Sequence, residues 1–134
     1  MNDTDIPAAH RAIQLGKKGL LPGKQVLEQL VDGKVAVPIH ELPRIEKGVI
    51  TAWRPASVSK ADGSQWIVAY TLSALAAAFC ESNPATGLYV DVDTRWMLSM
   101  LPDSYGVVFN LRTPDMLEWN AAGLAKFKKD VLGW

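Results

Sequence analysis

The sequence predicts a single α+β domain: a mixed β-sheet of about five strands with an early hairpin, packed by three to four helices. Its 134 residues suit one domain, and a hydrophobic fraction of 49% suffices for a sizeable core. Strand-like apolar runs are interleaved with helical patterns along the chain. An Asp-Gly turn, Asp62-Gly63, lies between two of these runs and predicts a hairpin, which argues against a purely parallel sheet.

The first third of the chain is predicted to hold one helix and one strand behind a less regular start. We assign residues 1–23 to an arm or a short helix, because glycine and proline interrupt the helical pattern there, and residues 24–134 to the α+β domain. Apolar residues at helical spacing predict a helix over residues 23–31. The apolar run 34–39 predicts a strand, and Pro38 indicates that its end or one of its edges is unpaired.

The hairpin is predicted to join residues 49–57 to residues 65–70. Both arms contain the β-branched and aromatic residues that are typical of strands. Trp66, in the middle of the second arm, is predicted to lie in the core with its indole N–H satisfied.

The rest of the chain is predicted to alternate between helices and strands. Four polar residues precede the three helices as candidate N-caps, since short polar side chains bond the free N–H groups of a first turn. The predicted order is a helix over 74–81 capped by Thr71 or Ser73, a strand over 87–92, a helix over 94–101 capped by Asp93, a strand over 106–110 and a helix over 121–132 capped by Asn120.

The charge pattern disfavours nucleic acid as a partner. The net charge is zero, with nine basic and six acidic residues in 1–60 against five and eight in 61–134. One part of the surface is therefore expected to be mildly basic and another mildly acidic. A protein that grips phosphate backbones usually carries a much stronger basic bias.

The pattern of apolar and cysteine residues predicts a cytoplasmic protein that does not bind membranes. The first ten residues contain two acids and no apolar segment, unlike a secretory signal. No run approaches the roughly 20 apolar residues needed to cross a bilayer. A single cysteine, Cys80, fits a reducing compartment, and its apolar surroundings predict a buried structural thiol.

No catalytic, metal or cofactor site is predicted. The two histidines, His10 and His40, are far apart in the chain, and no cysteine pair or His-x-x-x-His spacing accompanies them. The sequence has no Gly-x-Ser-x-Gly nucleophile elbow and no phosphate loop. A small enzyme remains an alternative, and it would need a polar pocket that holds His40 or Cys80 beside a carboxylate.

Tryptophan is the unusual feature, because the chain contains five. Trp53 precedes Arg54 and Trp96 follows Arg95, and tryptophan and arginine are enriched among the residues that anchor protein interfaces. Acidic side chains would add attraction for a basic partner, although each is also explained as a cap or a solvated loop end. The candidate partner-binding residues are therefore Trp53, Arg54, Asp91, Asp93, Arg95, Trp96 and Asp103.

Four runs in the second half of the chain resemble one protein family. They are GLYVDVD at 87–93, WMLSMLP at 96–102, YGVVFN at 105–110 and LEWN at 117–120, with a lysine-rich helix after them. Together with the helix, the Val-x-Val-Pro strand and the hairpin that precede them, they resemble the SseB N-terminal domain over about residues 24–132. One departure is Leu111-Arg112, where the family usually has Pro-Gly after the asparagine.

The resemblance implies a fold more than a role, and it brings no catalytic residues. Stand-alone bacterial members resemble immunity proteins, so the implied function is to bind and neutralise a cognate toxin. The alternative is an SseB-type adaptor or regulatory protein without a toxin partner. Both hypotheses expect a protein partner and no cofactor.

Overall fold

This computed structural model describes residues 7–134 of the chain. The described residues contain five α-helices and eight β-strands joined by loops and turns. The helices are α1 (Ala8–Lys17), α2 (Gly23–Val31), α3 (Ser73–Ser82), α4 (Thr94–Met100) and α5 (Ala121–Asp130). The strands are β1 (Lys34–Ile39), β2 (Arg44–Glu46), β3 (Val49–Ala52), β4 (Ser57–Ser59), β5 (Gln65–Ala69), β6 (Leu88–Asp93), β7 (Tyr105–Phe109) and β8 (Leu117–Trp119). Residues 1–6 of the predicted arm lie outside the described residues.

The strands pair in three sheets, and the predicted α+β class is confirmed. β1 pairs with β6 and β2 pairs with β3, both antiparallel. The third sheet has the order β4-β5-β7-β8, in which β5 and β7 are parallel and the other pairs are antiparallel. The elements are more numerous than the five strands and three to four helices predicted, because several are only three residues long and α1 adds a helix.

Backbone bonds of β1 connect two of these sheets. Ala36 and Tyr70 exchange N–H···O bonds of 2.8 and 2.9 Å, and Ala56 donates to the carbonyl of Pro38 at 2.8 Å. β1 therefore lies along the end of β5 and along the segment that leads into β4. A mixed array with the order β6-β1-β5-β7-β8 results. Four of its strands match the predicted runs 34–39, 65–70, 87–92 and 106–110, whereas β8 was not predicted and the predicted strand 49–57 lies outside the array.

A hairpin forms at the predicted Asp-Gly turn, but the prediction of its first arm is wrong, because β4 begins at Ser57 and shares only that residue with the predicted arm 49–57. β4 and β5 pair around Gly63, whose φ of 87° only glycine adopts readily. Residues 49–52 instead belong to a second hairpin, β2–β3. Its two-residue turn is Lys47-Gly48, with φ of 53° and 78°, as a type I′ turn requires. This hairpin was not predicted from the sequence, because lysine is not a usual residue at the first position of such a turn.

Alternate residues of the strands face two different groups of helices, as the period of two dictates. One face packs against α1, α2, α4 and α5 in the main core, and it includes Val35, Val37, Ile67, Ala69, Val107 and Phe109. The opposite face packs against α3 in a smaller core, and it includes Ala36, Trp66, Val68, Tyr70 and Val108. The first helix is part of this packing, since Ala9, Ala12 and Ile13 are buried in the main core.

Helix capping matches the prediction at one of three helices. The Asn120 side chain accepts a bond of 2.7 Å from the Gly123 N–H at the start of α5. Asp93 precedes α4, but its side chain makes no capping bond. The prediction for α3 is also wrong, because Leu72 occupies the cap position and the Thr71 hydroxyl is bonded elsewhere.

The central parallel pair depends on a glycine beside a tryptophan. Trp66 and Gly106 are register partners in β5 and β7. A Cβ at Gly106 would lie 2.6 Å from the Trp66 ring and 2.9 Å from the Trp119 carbonyl oxygen. Trp66 is buried and its indole N–H donates to Ser64 Oγ at 2.7 Å, which confirms the prediction for this residue.

We therefore expect Gly106→Ala to lower the free energy of unfolding by about 1–3 kcal/mol, the usual effect of overpacking a core. Urea denaturation followed by circular dichroism measures the change. Gly23→Ala is the matched control, because a Cβ there meets nothing within 4 Å and the backbone is helical. Equal stabilities for the two variants would contradict this account of the β5–β7 pair.

Candidate protein-binding surface

The structure brings Trp53 and Trp96 together. Their rings lie with centroids 4.9 Å apart and planes at 61°, an edge-to-face contact. Trp53 follows β3, and Trp96 lies in the first turn of α4. Both side chains are half-buried and pack against the main core, so each has one side on the core and another at the surface.

Two exposed arginines flank the tryptophan pair in sequence. Arg54 Nη1 lies 3.8 Å from Glu41 Oε1, and Arg95 Nη2 lies 3.0 Å from Asp32 Oδ1. All four of these side chains are more than half exposed. Exposed ion pairs contribute about 0–1 kcal/mol to stability, so these charges remain accessible to a binding partner.

Two of the three predicted acids lie on β6 and the third lies in a turn. Asp91 and Asp93 are two residues apart on β6 and share one face of the sheet, where Asp93 is the register partner of Lys34. The Ser73 hydroxyl donates to Asp91 Oδ1 at 3.4 Å. Asp103 is exposed in the turn between α4 and β7.

A groove of about 290 Å³ connects Trp96 with the β6 acids. Its walls are the β2–β3 hairpin on one side and β6 on the other, and we call it the tryptophan groove. It is lined by Lys34, Gly48, Val49, Ile50, Asp91, Val92, Asp93 and Trp96. Trp53 lines a separate hollow of about 190 Å³, which Met100, Pro102 and Tyr105 share.

The sequence missed the apolar surface of the β2–β3 hairpin. Ile45 and Val49 are 60% and 58% exposed, and Leu42 just before the hairpin is 78% exposed. A strand pattern gives no sign of this exposure, because periodicity predicts which residues share a face but not whether another layer covers it. The exposed apolar residues adjoin the tryptophan groove through Val49.

The sequence also missed a buried polar network around His10. His10 is 3% exposed, its Nδ1 lies 2.6 Å from Thr71 Oγ1, and its Nε2 lies 3.4 Å from Asp115 Oδ2. Nothing in the spacing of these three residues predicts the contact. They come from α1, the β5–α3 junction and the β7–β8 loop, so the network ties three distant segments together.

Asn110 completes this network. Its side chain accepts from the Thr71 N–H at 2.9 Å and donates to Thr71 Oγ1 and to the Asp115 carbonyl. The residue is fully buried and has a φ of 58°, a conformation that asparagine tolerates better than most residues. The Thr71 hydroxyl is therefore shared between a histidine and an amide.

The two residues named for the small-enzyme alternative have other partners. His40 Nδ1 lies 3.1 Å from the Ala85 carbonyl oxygen, and the Cys80 thiol donates to the Leu88 carbonyl at 3.3 Å. Burial raises the pKa of the Cys80 thiol, which disfavours the reactive thiolate. Cys80 is buried, as predicted.

Residues 7–134 offer neither a metal-binding cluster nor a membrane-crossing helix. In this range no group of three or more His, Cys, Asp or Glu side chains is arranged to hold a metal ion. Within the same described part of the chain, no helix has the length and apolar character needed to cross a membrane.

An α+β domain with an aromatic groove on its surface is the class of protein that these observations define. The chain belongs to the SseB family, since the model of the SseB protein N-terminal domain matches residues 11–126. This match confirms the resemblance and includes most of α1. No curated protein and no solved structure matches the chain significantly.

The His10 network predicts a loss of stability at mildly acidic pH. Burial lowers the pKa of His10, and the nearby Asp115 carboxylate opposes this effect only in part. Below the unfolded value of about 6.5, the unfolded chain therefore binds a proton that the folded chain resists. We expect the free energy of unfolding to fall as the pH decreases from about 6.5 towards the lower pKa of folded His10.

Urea denaturation at pH 7.5 and pH 5.5 measures this effect, with His10→Gln as the comparison. The variant keeps a polar side chain but has no imidazole to protonate, so its stability should change less between the two pH values. Besides His10 itself, the groups facing the site are Asp115, Gln14 and Thr71, and all three remain in the variant. An equal loss in both proteins would contradict the assignment to His10.

Proposed function

We propose that this domain is a non-catalytic protein-binding module whose contact surface is the tryptophan groove and the Trp53–Trp96 pair. The edge-to-face contact of these two half-buried rings is the observation that carries the proposal. A ring fixed by the core on one side loses little conformational freedom when a partner covers its other side.

The surroundings of the pair support the same function. Exposed apolar residues of the hairpin and the exposed Asp91 and Asp93 lie at the groove that holds Trp96. The exposed Arg54 and Arg95 adjoin the two tryptophans in sequence. An apolar centre with a charged rim is the usual anatomy of a protein interface. A protein partner also suits a chain whose net charge is zero, since binding nucleic acid usually requires a strong basic bias.

We propose further that the partner is a toxin domain, which this protein binds and neutralises in the cytoplasm. Asp91 and Asp93 support the choice, because exposed carboxylates speed the encounter with a basic cleft. Neutralisation then requires only that the groove and hairpin cover the toxin's functional surface, with no turnover.

The test is capture of the tagged protein from its native cell, with bound proteins identified by mass spectrometry. A stoichiometric partner should be recovered, and the purified partner should bind Trp96→Ala about 30-fold more weakly, as expected for an interface anchor worth about 2 kcal/mol. Trp134→Ala is the matched control, because it removes another half-exposed tryptophan far from the groove in sequence.

Thermal melting of both variants separates lost binding from lost folding. Expression of the partner alone should arrest growth, and co-expression with the wild-type chain should restore it. A partner that binds through Trp96 but arrests nothing would contradict the toxin assignment and favour an adaptor. A partner that tolerates Trp96→Ala in a folded variant would contradict the proposed surface.

A further inference from the structure

Strand β6 has an unpaired outer edge. The Thr94 N–H donates to the Gly33 carbonyl, and Ala36 exchanges its backbone bonds with Tyr70. In the antiparallel β1–β6 ladder, the backbone groups of Val90 and Val92 therefore point towards β1. Those of Tyr89 and Asp91 point outward, and no other described backbone group bonds to them.

The open edge borders the tryptophan groove. Asp91, Val92 and Asp93 form one wall of the groove, Val49 and Ile50 form the other, and Trp96 lies between them. Tyr89, Asp91 and Asp93 share one face of β6, while Leu88, Val90 and Val92 share the face that leads into the main core. A further strand paired with the outer edge of β6 would place its alternate side chains on these two faces.

Charge argues against a second copy of this chain as that strand. The outward-pointing residues of two antiparallel β6 strands must pair with each other, so the registers with the greatest overlap set Asp91 opposite Asp91 or diagonal to it. Two carboxylates in these positions repel each other. The exposed acids thus protect the edge from self-association while leaving it open to a basic strand.

We infer that β6 binds an extended segment of a partner protein in which basic and apolar side chains alternate. Its backbone pairs with Tyr89 and Asp91, its basic side chains meet Asp91 and Asp93, and its apolar side chains lie against Val49, Ile50 and Trp96 in the groove. This mode of strand addition rests on the proposed function, because it specifies how the same surface takes its partner.

A six-residue peptide, acetyl-Lys-Val-Lys-Val-Lys-Val-amide, is the probe. Titration into the ¹⁵N-labelled protein should shift the amide signals of Tyr89 and Asp91 and slow their hydrogen exchange. The matched peptide with glutamate in place of lysine should bind at least tenfold more weakly. Absence of any shift at these two amides up to millimolar peptide would overturn the inference.

Peptides with N-methyl groups separate strand pairing from simple charge attraction. One version is methylated at the lysine amides and the other at the valine amides, and both keep their charge. Only one set of amides faces β6 in a strand pair, so one version should lose at least tenfold in affinity. If both bind as the parent peptide does, the inference is wrong.

Two variants of the protein make the complementary test. Asp91→Pro removes the outward N–H, which plays no part in the β1–β6 ladder, and should weaken the parent peptide at least tenfold. Asp91→Asn keeps this N–H and should weaken binding of the parent peptide less than Asp91→Pro does. Equal binding by Asp91→Pro and wild type would overturn the inference, and the methylated peptides decide it if Asp91→Pro does not fold.

Failure of this inference differs from failure of the proposed function. A captured native partner that depends on Trp96 but not on the Asp91 N–H would overturn strand addition and leave the protein-binding function in place. A partner that depends on neither would overturn both strand addition and the tryptophan groove as the contact surface.

Discussion

The parallel pairing of β5 with β7 is the constraint on which the rest of the structure depends. Four of the five residues in each strand are buried, so both faces of the pair must be covered by other elements. One face packs against α1, α2, α4 and α5, and the other packs against α3. The pair itself is possible because Gly106 leaves room for the Trp66 ring, which a larger residue would displace.

The ends of these two strands organise the rest of the molecule. Tyr70, just after β5, binds β1 through its backbone, and this places β6 at the outside of the array. Asn110, just after β7, binds Thr71 and so closes the network that holds His10 and the first helix. The outer edge of β6 and the buried histidine are thus both consequences of where the central strands end.

The surface beside β6 differs from the buried centre of the fold in which groups it exposes to solvent. The buried polar groups of the His10 network bond to one another, whereas the β2–β3 hairpin leaves large apolar side chains in solvent. The Trp53–Trp96 contact fixes the base of this region, and the open β6 edge offers unpaired backbone groups beside it. The aromatic pair and the open strand edge are the two features on which the proposed strand addition rests.

The sequence by itself determined the fold class, most helices and strands, the Asp62-Gly63 turn before β5, the core position of Trp66 and the SseB family. Periodicity, turn residues and family motifs are all properties of short segments. The sequence also singled out Trp53 and Trp96, but not that their rings touch. Only the tertiary structure decided that contact, the His10–Thr71–Asp115 network and the open edge of β6. Each of these joins or separates residues that are distant along the chain, and local patterns carry no information about such distances. The β2–β3 hairpin lies between these cases. Lysine does not usually adopt a positive φ, so the residue type gives no sign of the turn at Lys47, which the pairing of β2 with β3 imposes.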